Sequence, residues 1–513
     1  MSERAPFPVA GTGRERRTVI VGAGFGGIGM AVRLLQSGEQ DFIVLERADR
    51  LGGTWRDNVY PGCRCDVPSH LYSYSFAPNP SWTSTYADQE EIWTYLQETA
   101  ERFGVLPHIA FSHRVLNASW DDASGWTVRT DRGDYRCRFL ITASGSLAEP
   151  KTPDIEGSSS FAGRVVHSAR WDPAFRFEGQ RVAVIGTGAS AIQIVPRIQP
   201  QVQKLSVFQR TPAWVLPHRD RSISELERAL YRALPAAQRV ARVIDYARQE
   251  LLVPFLMHPR LGSIPQRIAL RNLRNQVPDP TLRAKLTPPY RFGCKRILLS
   301  SEYLPALQEP NAELVTDPIR AITEKGVLTA DGREHELDTI IFATGFHVTD
   351  MPLGDWLHAR DGRTLQEHWR GSPQAYLGTT VAGCPNLFVL VGPNTGLGHN
   401  SIVFMIESQL RYVMDCIGYM ERTGAATFEV HEQAQRDFNA QIQRQLGGSV
   451  WNTGGCASWY IDVNGKNTVI WPGSTWPYRR RLHRFDPEHY ELRPRVPVSS
   501  PEAAHAVAPA VTR

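Results

Sequence analysis

Two glycine turns and one reversal of charge hold much of the chemistry that can be read from this chain. Gly22-Ala-Gly24-Phe25-Gly26-Gly27 follows the apolar run 17–21, and Gly186-Thr187-Gly188-Ala189-Ser190-Ala191 follows 181–185. Gly22 and Gly186 suit a tight turn. Gly24 and Gly188 let backbone approach a pyrophosphate, and Gly27 or Ala191 keeps the following helix close to its strand. Free amides at the helix start then hold the phosphates. Glu46 stands 24 positions after Gly22, and Arg210 stands 24 positions after Gly186. A carboxylate at that place accepts from ribose hydroxyls, whereas a guanidinium suits a 2′-phosphate. The first unit is therefore expected to bind a dinucleotide with a free 2′-hydroxyl, as in FAD, and the second one with a 2′-phosphate, as in NADPH, with Thr211 adding a hydroxyl contact.

Between the two turns runs Phe161-Ala-Gly163-Arg-Val-Val-His167-Ser-Ala-Arg-Trp171-Asp172. A segment joining two dinucleotide sites can report on both. Gly163 permits a tight backbone, His167 can donate and accept a hydrogen bond, and Trp171 supplies a flat anchor. This stretch resembles the signature of the type I Baeyer–Villiger monooxygenases, flavoenzymes that insert oxygen beside a ketone. A second stretch, Gly53-Thr54-Trp55-Arg-Asp-Asn-Val-Tyr60-Pro61-Gly62-Cys-Arg64-Cys-Asp66, resembles that family's other signature. The resemblance runs from about Thr18 to about Arg480.

The resemblance implies roles for individual residues. Phe25, Gly53, Thr54, Trp55, Asp66 and, from weaker matches, Tyr72 and Val115 fall near FAD. Arg64 and Trp459 fall near the nicotinamide cofactor. His167 and Trp171 belong to a linker that couples the two units, with His167 a hydrogen-bonding hinge and not a base. Arg291-Phe-Gly293-Cys-Lys295-Arg296 looks like the family's active-site basic pair. A flavin C4a-peroxide attacks a ketone as the anion, so it needs a fixed positive charge that cannot release its proton. Arginine meets that need and lysine does not. Successive side chains of extended chain point opposite ways, so Lys295 is expected to meet the 2′-phosphate while Arg296 faces the flavin, with Asp66 as its partner. The implied products are an ester or lactone. Two alternatives stay open: oxidation of a sulfur or nitrogen centre, and a flavin and NADPH redox protein without oxygenation. A disulfide reductase needs a redox cysteine pair, and the chain has no Cys-x-x-Cys.

The elements that must position these residues form an internal repeat of strand, glycine turn, helix, strand and a later strand ending Ala-Ser/Thr-Gly. In the first unit these are strand 17–21, helix 28–35 stopping at Gly38, strand 42–45 and strand 135–145. In the second they include strands 181–185, 205–209 and 338–342. The fold class expected is α/β, with two Rossmann-like dinucleotide-binding domains and a helical insertion in the second. A tail at 1–16 precedes the first part of the FAD domain at 17–150. The NADP domain covers 151–384, including the linker 151–180 and the insertion 220–290. The second part of the FAD domain covers 385–496, and a flexible tail covers 497–513. Residues 57–74 form a functional loop, 92–103 a short helix, 120–130 a hairpin turning at Ser124-Gly125, 386–391 a strand and 401–420 a long helix. In the insertion, Ser224 is a plausible cap, and Leu226, Ala229, Leu230, Ala233 and Leu234 make one apolar face expected to be buried against the NADP domain.

Composition narrows the partners. Lys and Arg outnumber Asp and Glu by 57 to 52, a net +5 too small and too dispersed to argue for nucleic acid. Residues 1–16 lack the apolar core of a signal peptide. No run approaches the ~20 residues of a membrane span; Leu251–Met257 is interrupted by Pro254. Seven scattered cysteines suggest free thiols in a reducing cytoplasm. The partners expected are a small-molecule ketone and dioxygen, with no nucleic acid, no membrane and no metal. The oligomeric state and the identity of the ketone are not legible.

Overall fold

The computed structural model describes residues 14–494. The first unit opens with β1 (Arg14–Val21), α1 (Phe25–Gln36) and β2 (Phe42–Leu45), followed by β3 (Ile109–Ala110), β4 (Val115–Asp121), β5 (Gly125–Thr130) and β6 (Gly133–Thr142). The second unit contains β7 (Arg164–His167), β8 (Arg181–Ile185), α2 (Ala189–Ile198) and β9 (Lys204–Phe208). Five helices then form the insertion: α3 (Glu225–Ala233), α4 (Pro235–Glu250), α5 (Val253–Met257), α6 (Ser263–Gln276) and the short helix Pro280–Lys285. The chain returns through β10 (Ala312–Val315), β11 (Thr339–Phe342), β12 (Leu357–His358), β13 (Leu387–Val389) and the 22-residue helix α7 (Ile402–Thr423).

The repeat predicted from the glycine turns is visible as two matching parallel sheets. One runs β13-β6-β1-β2-β3 and the other β7-β11-β8-β9-β10. The first half of β6 also pairs antiparallel with β5, and β5 with β4, which gives the hairpin at 120–130 longer arms than its sequence suggests. Strand alternation divides the core. Ile20, Val44 and Ile141 share one cluster with Ile28 of α1, while Val19, Val21 and Leu45 face the opposite side with Leu357 and Trp369. α7 begins at a Ser401 cap and ends at Gly424 in the left-handed conformation. It lies against α1, where a Cβ at Gly29 would come within 2.8 Å of Leu410.

Several expectations need correction. β1 starts at Arg14, inside the expected tail 1–16, because its first residues pair with Tyr135 to Cys137 of β6; the remainder of that tail and the tail 497–513 lie outside the described residues. The chain rejoins the first unit near Met351, not at 385. β12 pairs with β4, and Met351, Leu353, Leu365 and Trp369 fill the core on that side of the sheet. Short pairings of this kind carry no sequence period. The thiol expectation fails at two positions: Cys294 and Cys456 form a disulfide across 162 residues, while Cys63, Cys65, Cys137, Cys384 and Cys416 are free and buried. Only the fold brings those two loops together. Finally, the apolar face of α3 is turned outward. Leu226 is 83% exposed, and Leu230 and Leu234 are also exposed. The element is held instead by its other side, where Tyr231 is buried edge-on against His70, ring centroids 4.9 Å apart.

Candidate active site

The two glycine turns adopt one geometry. Gly22 and Gly186 have φ of 102° and 119°, in the left-handed region that favours glycine. A Cβ on Gly22 would meet the Ala143 carbonyl oxygen at 2.6 Å, and one on Gly186 would meet the Ala343 oxygen at 2.4 Å. The Ala-Ser/Thr-Gly ends of β6 and β11 are thus the lids against which the turns close. Gly24 and Gly188 occupy the N-cap positions of α1 and α2, and neither helix start is closed by a side-chain hydrogen bond. The first amides of both helices keep their capacity to hold an anion. The residues present therefore fit two dinucleotide cofactors.

Around the first turn, Phe25, Trp55 and Tyr72 form an aromatic group: ring centroids lie 5.3 Å apart for Phe25–Tyr72 and 5.5 Å for Trp55–Tyr72. Trp55 donates to the Tyr72 hydroxyl at 3.1 Å. Gly53 and Thr54 begin the short helix Thr54–Asp57, and Gly53 lies directly over Gly24. Glu46 is buried. It accepts from the Ala23 amide at 2.9 Å, the Ala48 amide at 3.0 Å and Arg56 at 2.8 Å. Arg56 escaped the sequence reading even though it lies inside the quoted signature, because nothing in its spacing points at Glu46. Val115 opens β4, just beyond His113, whose amide donates to the Glu46 carbonyl.

In the second unit, Arg210 is exposed beyond the end of β9, and Thr187 donates to the Thr211 carbonyl at 2.9 Å. Thr211 thus contributes its backbone carbonyl to the second turn. Ala189, Ser190 and Ala191 form the first turn of α2. Lys295 comes close to Arg210: burial, reinforced by that neighbouring guanidinium, pushes its pKa below the ordinary lysine value. A bound anion would relieve the repulsion between these two cations.

Arg296 is held by Asp66. Its Nε and Nη2 donate to the two Asp66 carboxylate oxygens, each at 2.6 Å, and Nη1 donates to the Leu397 carbonyl at 3.2 Å. Lys295 Nζ lies 5.2 Å from the centroid of the Tyr290 ring, while Arg296 is committed to Asp66. Burial alone would raise the Asp66 carboxyl; the charge and hydrogen bonds of Arg296 more than offset this and hold it below the usual range. Asp66 in turn raises the Arg296 pKa further, so the guanidinium is permanently charged. Of these two side chains, 29% and 28% remain accessible, enough surface for a small molecule to reach the pair. The Arg296 loop is anchored from behind by the Cys294–Cys456 disulfide and by the Arg291 amide, which donates to Gly454 at 3.0 Å. This brings the segment 450–460 to the site. Trp459 there is exposed and contacts Tyr460. Tyr460 is buried, its hydroxyl has no hydrogen-bond partner among the described residues, and burial pushes its pKa up to about 12.

Contacts between the units converge on the loop that carries Asp66. Arg64 pairs with Asp220 at 2.8 Å, and its carbonyl accepts from Gln193 of α2. Asp220 also accepts from Ser84 and Thr85, a role for which the sequence holds no signal. His167 ends β7 opposite Phe342 of β11, and its Nδ1 accepts from the Ala169 amide at 3.1 Å. Burial lowers its pKa, so it stays a neutral hydrogen-bonding ring near pH 7. Trp171 is buried edge-on against Phe177.

Comparison with known proteins agrees with this arrangement. Residues 19–224 match the family described as pyridine nucleotide-disulphide oxidoreductase, which spans the two glycine turns. The chain is 50% identical over 494 residues to a Baeyer-Villiger monooxygenase of Streptomyces coelicolor, covering 96% of this chain and 95% of that protein. The chain belongs to the Baeyer–Villiger monooxygenases. A Pseudomonas aeruginosa member is 45% identical over 489 residues, 94% of this chain and 93% of its own. Among solved structures, the closed crystal structure of cyclohexanone monooxygenase superposes with a TM-score of 0.85 at 28% identity, and an oxidized steroid monooxygenase bound to NADP with 0.83 at 32%; each comparison covers 94% of this chain and 100% of the other. The reaction of a Baeyer–Villiger monooxygenase, flavin-dependent insertion of one oxygen atom beside a ketone carbonyl, is accordingly the activity of this chain.

Proposed function

We propose that this monooxygenase takes FAD at the first glycine turn and NADPH at the second, and that Arg296 is the cation that stabilises the attacking oxygen. The bound flavin would supply the redox chemistry and the activation of dioxygen. The α1 amides would hold its pyrophosphate, Glu46 would accept from its ribose, and Phe25, Trp55 and Tyr72 would form an apolar wall. At the second turn, Arg210 and Lys295 would share the 2′-phosphate, and Arg64 and Trp459 would border the remainder of NADPH. His167, at the end of β7 in the second sheet, and Trp171 would couple the units. The partition into an FAD domain completed by residues after 351 and an NADP domain carrying the insertion follows from the same assignment.

The observation that supports the reading best is the bidentate pair between Arg296 and Asp66. The carboxylate fixes the guanidinium plane and leaves the charge in place throughout the reaction. Because arginine does not release its proton, it stabilises negative charge on the attacking oxygen without quenching it. Losing such a contact costs about 3 kcal/mol or more of transition-state stabilisation, roughly a hundredfold in rate. Arg296→Ala is expected to retain flavin and to consume NADPH while forming little ester, and Arg296→Lys to rescue poorly. Stopped-flow flavin absorbance, read alongside a product assay with one ketone and one thioether, provides the test. Ester formation by Arg296→Ala at the unmodified rate would overturn the assignment, and thioether oxidation without ester by the unmodified protein would shift the substrate class.

A further inference from the structure

Helix α4 is amphipathic in the inverse sense. Its inward stripe is polar, and each member is bonded. Gln238 donates to the Asn79 carbonyl at 2.6 Å, and Arg242 donates to the His70 and Ser73 carbonyls at 2.7 and 2.9 Å. Tyr246 bonds Thr475 at 3.0 Å, and Glu250 accepts from Asn400 and from Thr475, each at 2.6 Å. The outward stripe is apolar: Val240, Val243, Ile244 and Leu251 are 58, 64, 45 and 69% exposed. Turning the helix over would strand every one of those polar groups, so the outward apolar face is a property of the fold. The neighbouring helices repeat it, with Leu226, Leu230 and Leu234 on or just after α3 and Ile264 and Ile268 on α6. Of the 18 exposed large hydrophobic residues among the described residues, 11 fall between Leu226 and Ile268. Concentration of this kind marks an interaction surface and not ordinary exterior.

Charge selects the partner. Across α3 to α6 stand nine arginines and four acids, Glu225, Glu227, Asp245 and Glu250, a net +5 that equals the charge of the whole chain. Arg232, Arg239, Arg260, Arg267, Arg271 and Arg274 are exposed and make no ion pair among the described residues. A second copy of this chain would bring an equal positive charge against it. Apolar side chains interleaved with long cationic ones on contiguous helices suit a surface that is anionic outside and apolar beneath. We propose that α3 to α6 form a docking face for an anionic lipid bilayer, lying on it without crossing it. No helix among the described residues is long and apolar enough to span a membrane. This inference stands apart from the cofactor assignments.

The test uses the full-length flavoprotein and co-sedimentation with vesicles of phosphatidylcholine alone or mixed with phosphatidylglycerol. Binding is expected with the mixed vesicles, weakly or not at all with phosphatidylcholine, and is expected to fall at high salt as the screening length shortens. Val243→Asp combined with Ile244→Asp should lower vesicle binding by about tenfold or more while leaving flavin content and turnover of a water-soluble ketone unchanged. Should that variant misfold, Arg267→Glu with Arg271→Glu, which leaves the apolar stripe intact, should lower binding to the anionic vesicles. The proposal fails if the unmodified protein does not sediment with anionic vesicles or if both variants bind as it does. It also fails if light scattering shows a dimer that the aspartates dissociate and that ignores vesicles, since the face would then be a contact between copies of this chain.

Discussion

Glu46 in the first nucleotide unit is 3% exposed and already engaged by two amides and Arg56, whereas Arg210 at the corresponding place in the second stands exposed. The same contrast holds at the turns. A Cβ on Gly24 would lie 3.7 Å from Gly53, part of the segment that folds over the first turn, while a Cβ on Gly188 would meet nothing within 4 Å. Two equivalent frames have thus been finished differently, one enclosed and one open. An enclosed site suits a cofactor retained through many turnovers, and an open site suits one that arrives and leaves in each cycle.

The largest effect expected from disturbing this contrast is at Gly27. A Cβ there would sit 1.8 Å from the Gly22 carbonyl oxygen, whereas Ala191 already occupies the equivalent position in the second unit. Gly27→Ala should cost about 3 kcal/mol or more and yield protein without flavin absorbance; a yellow, normally stable variant would show that the first turn is not the tighter one. Next in size is Arg210→Ala. Removing one charge-assisted contact of about 2 kcal/mol should lower kcat/KM for NADPH roughly thirtyfold and leave NADH nearly unchanged. Equal loss with both cofactors would deny Arg210 the 2′-phosphate.

A smaller effect is expected from pH. The Lys295 pKa lies below its ordinary value in the free protein because of burial and then Arg210. A bound 2′-phosphate favours the ammonium, so affinity for NADPH is fully present below the free-protein pKa and declines as pH rises through it. The ratio of KM values for NADPH and NADH should rise several-fold toward alkaline pH, and Lys295→Arg should flatten that rise. The mildest change is Ala191→Gly, which should cost about 1 kcal/mol of helix stability and leave NADPH use intact. A thermal melt with a parallel KM measurement would decide it; loss of NADPH binding would mean that the second turn tolerates as little change as the first.

How much of this was legible differs from residue to residue. The paired sheets follow from Gly22 and Gly186, since a left-handed turn against a strand end admits little else. The pairing of Arg296 with Asp66 was implied by resemblance to a family, not by any local rule, because 230 residues separate the two. Arg56 beside Glu46 was hidden for the opposite reason: it is near in sequence, but only the turn at Gly53 aims it inward. The α3 face was misread because an apolar stripe shows that one side of a helix differs from the other, not which side meets the protein.

The sequence by itself determined the two dinucleotide frames, with an acid after the second strand of one and a base after the second strand of the other. Those are set by φ angles, strand period and charge, which act over a few residues. Tertiary structure alone decided that Cys294 meets Cys456 behind the arginine loop, that the chain rejoins the first sheet near Met351, and that the insertion shows its apolar side outward. Each depends on which groups from distant segments satisfy one another. For α4, the carbonyls of His70, Ser73 and Asn79 and the hydroxyl of Thr475 claim the polar stripe, and unpaired buried polar groups cost more than exposed methyls.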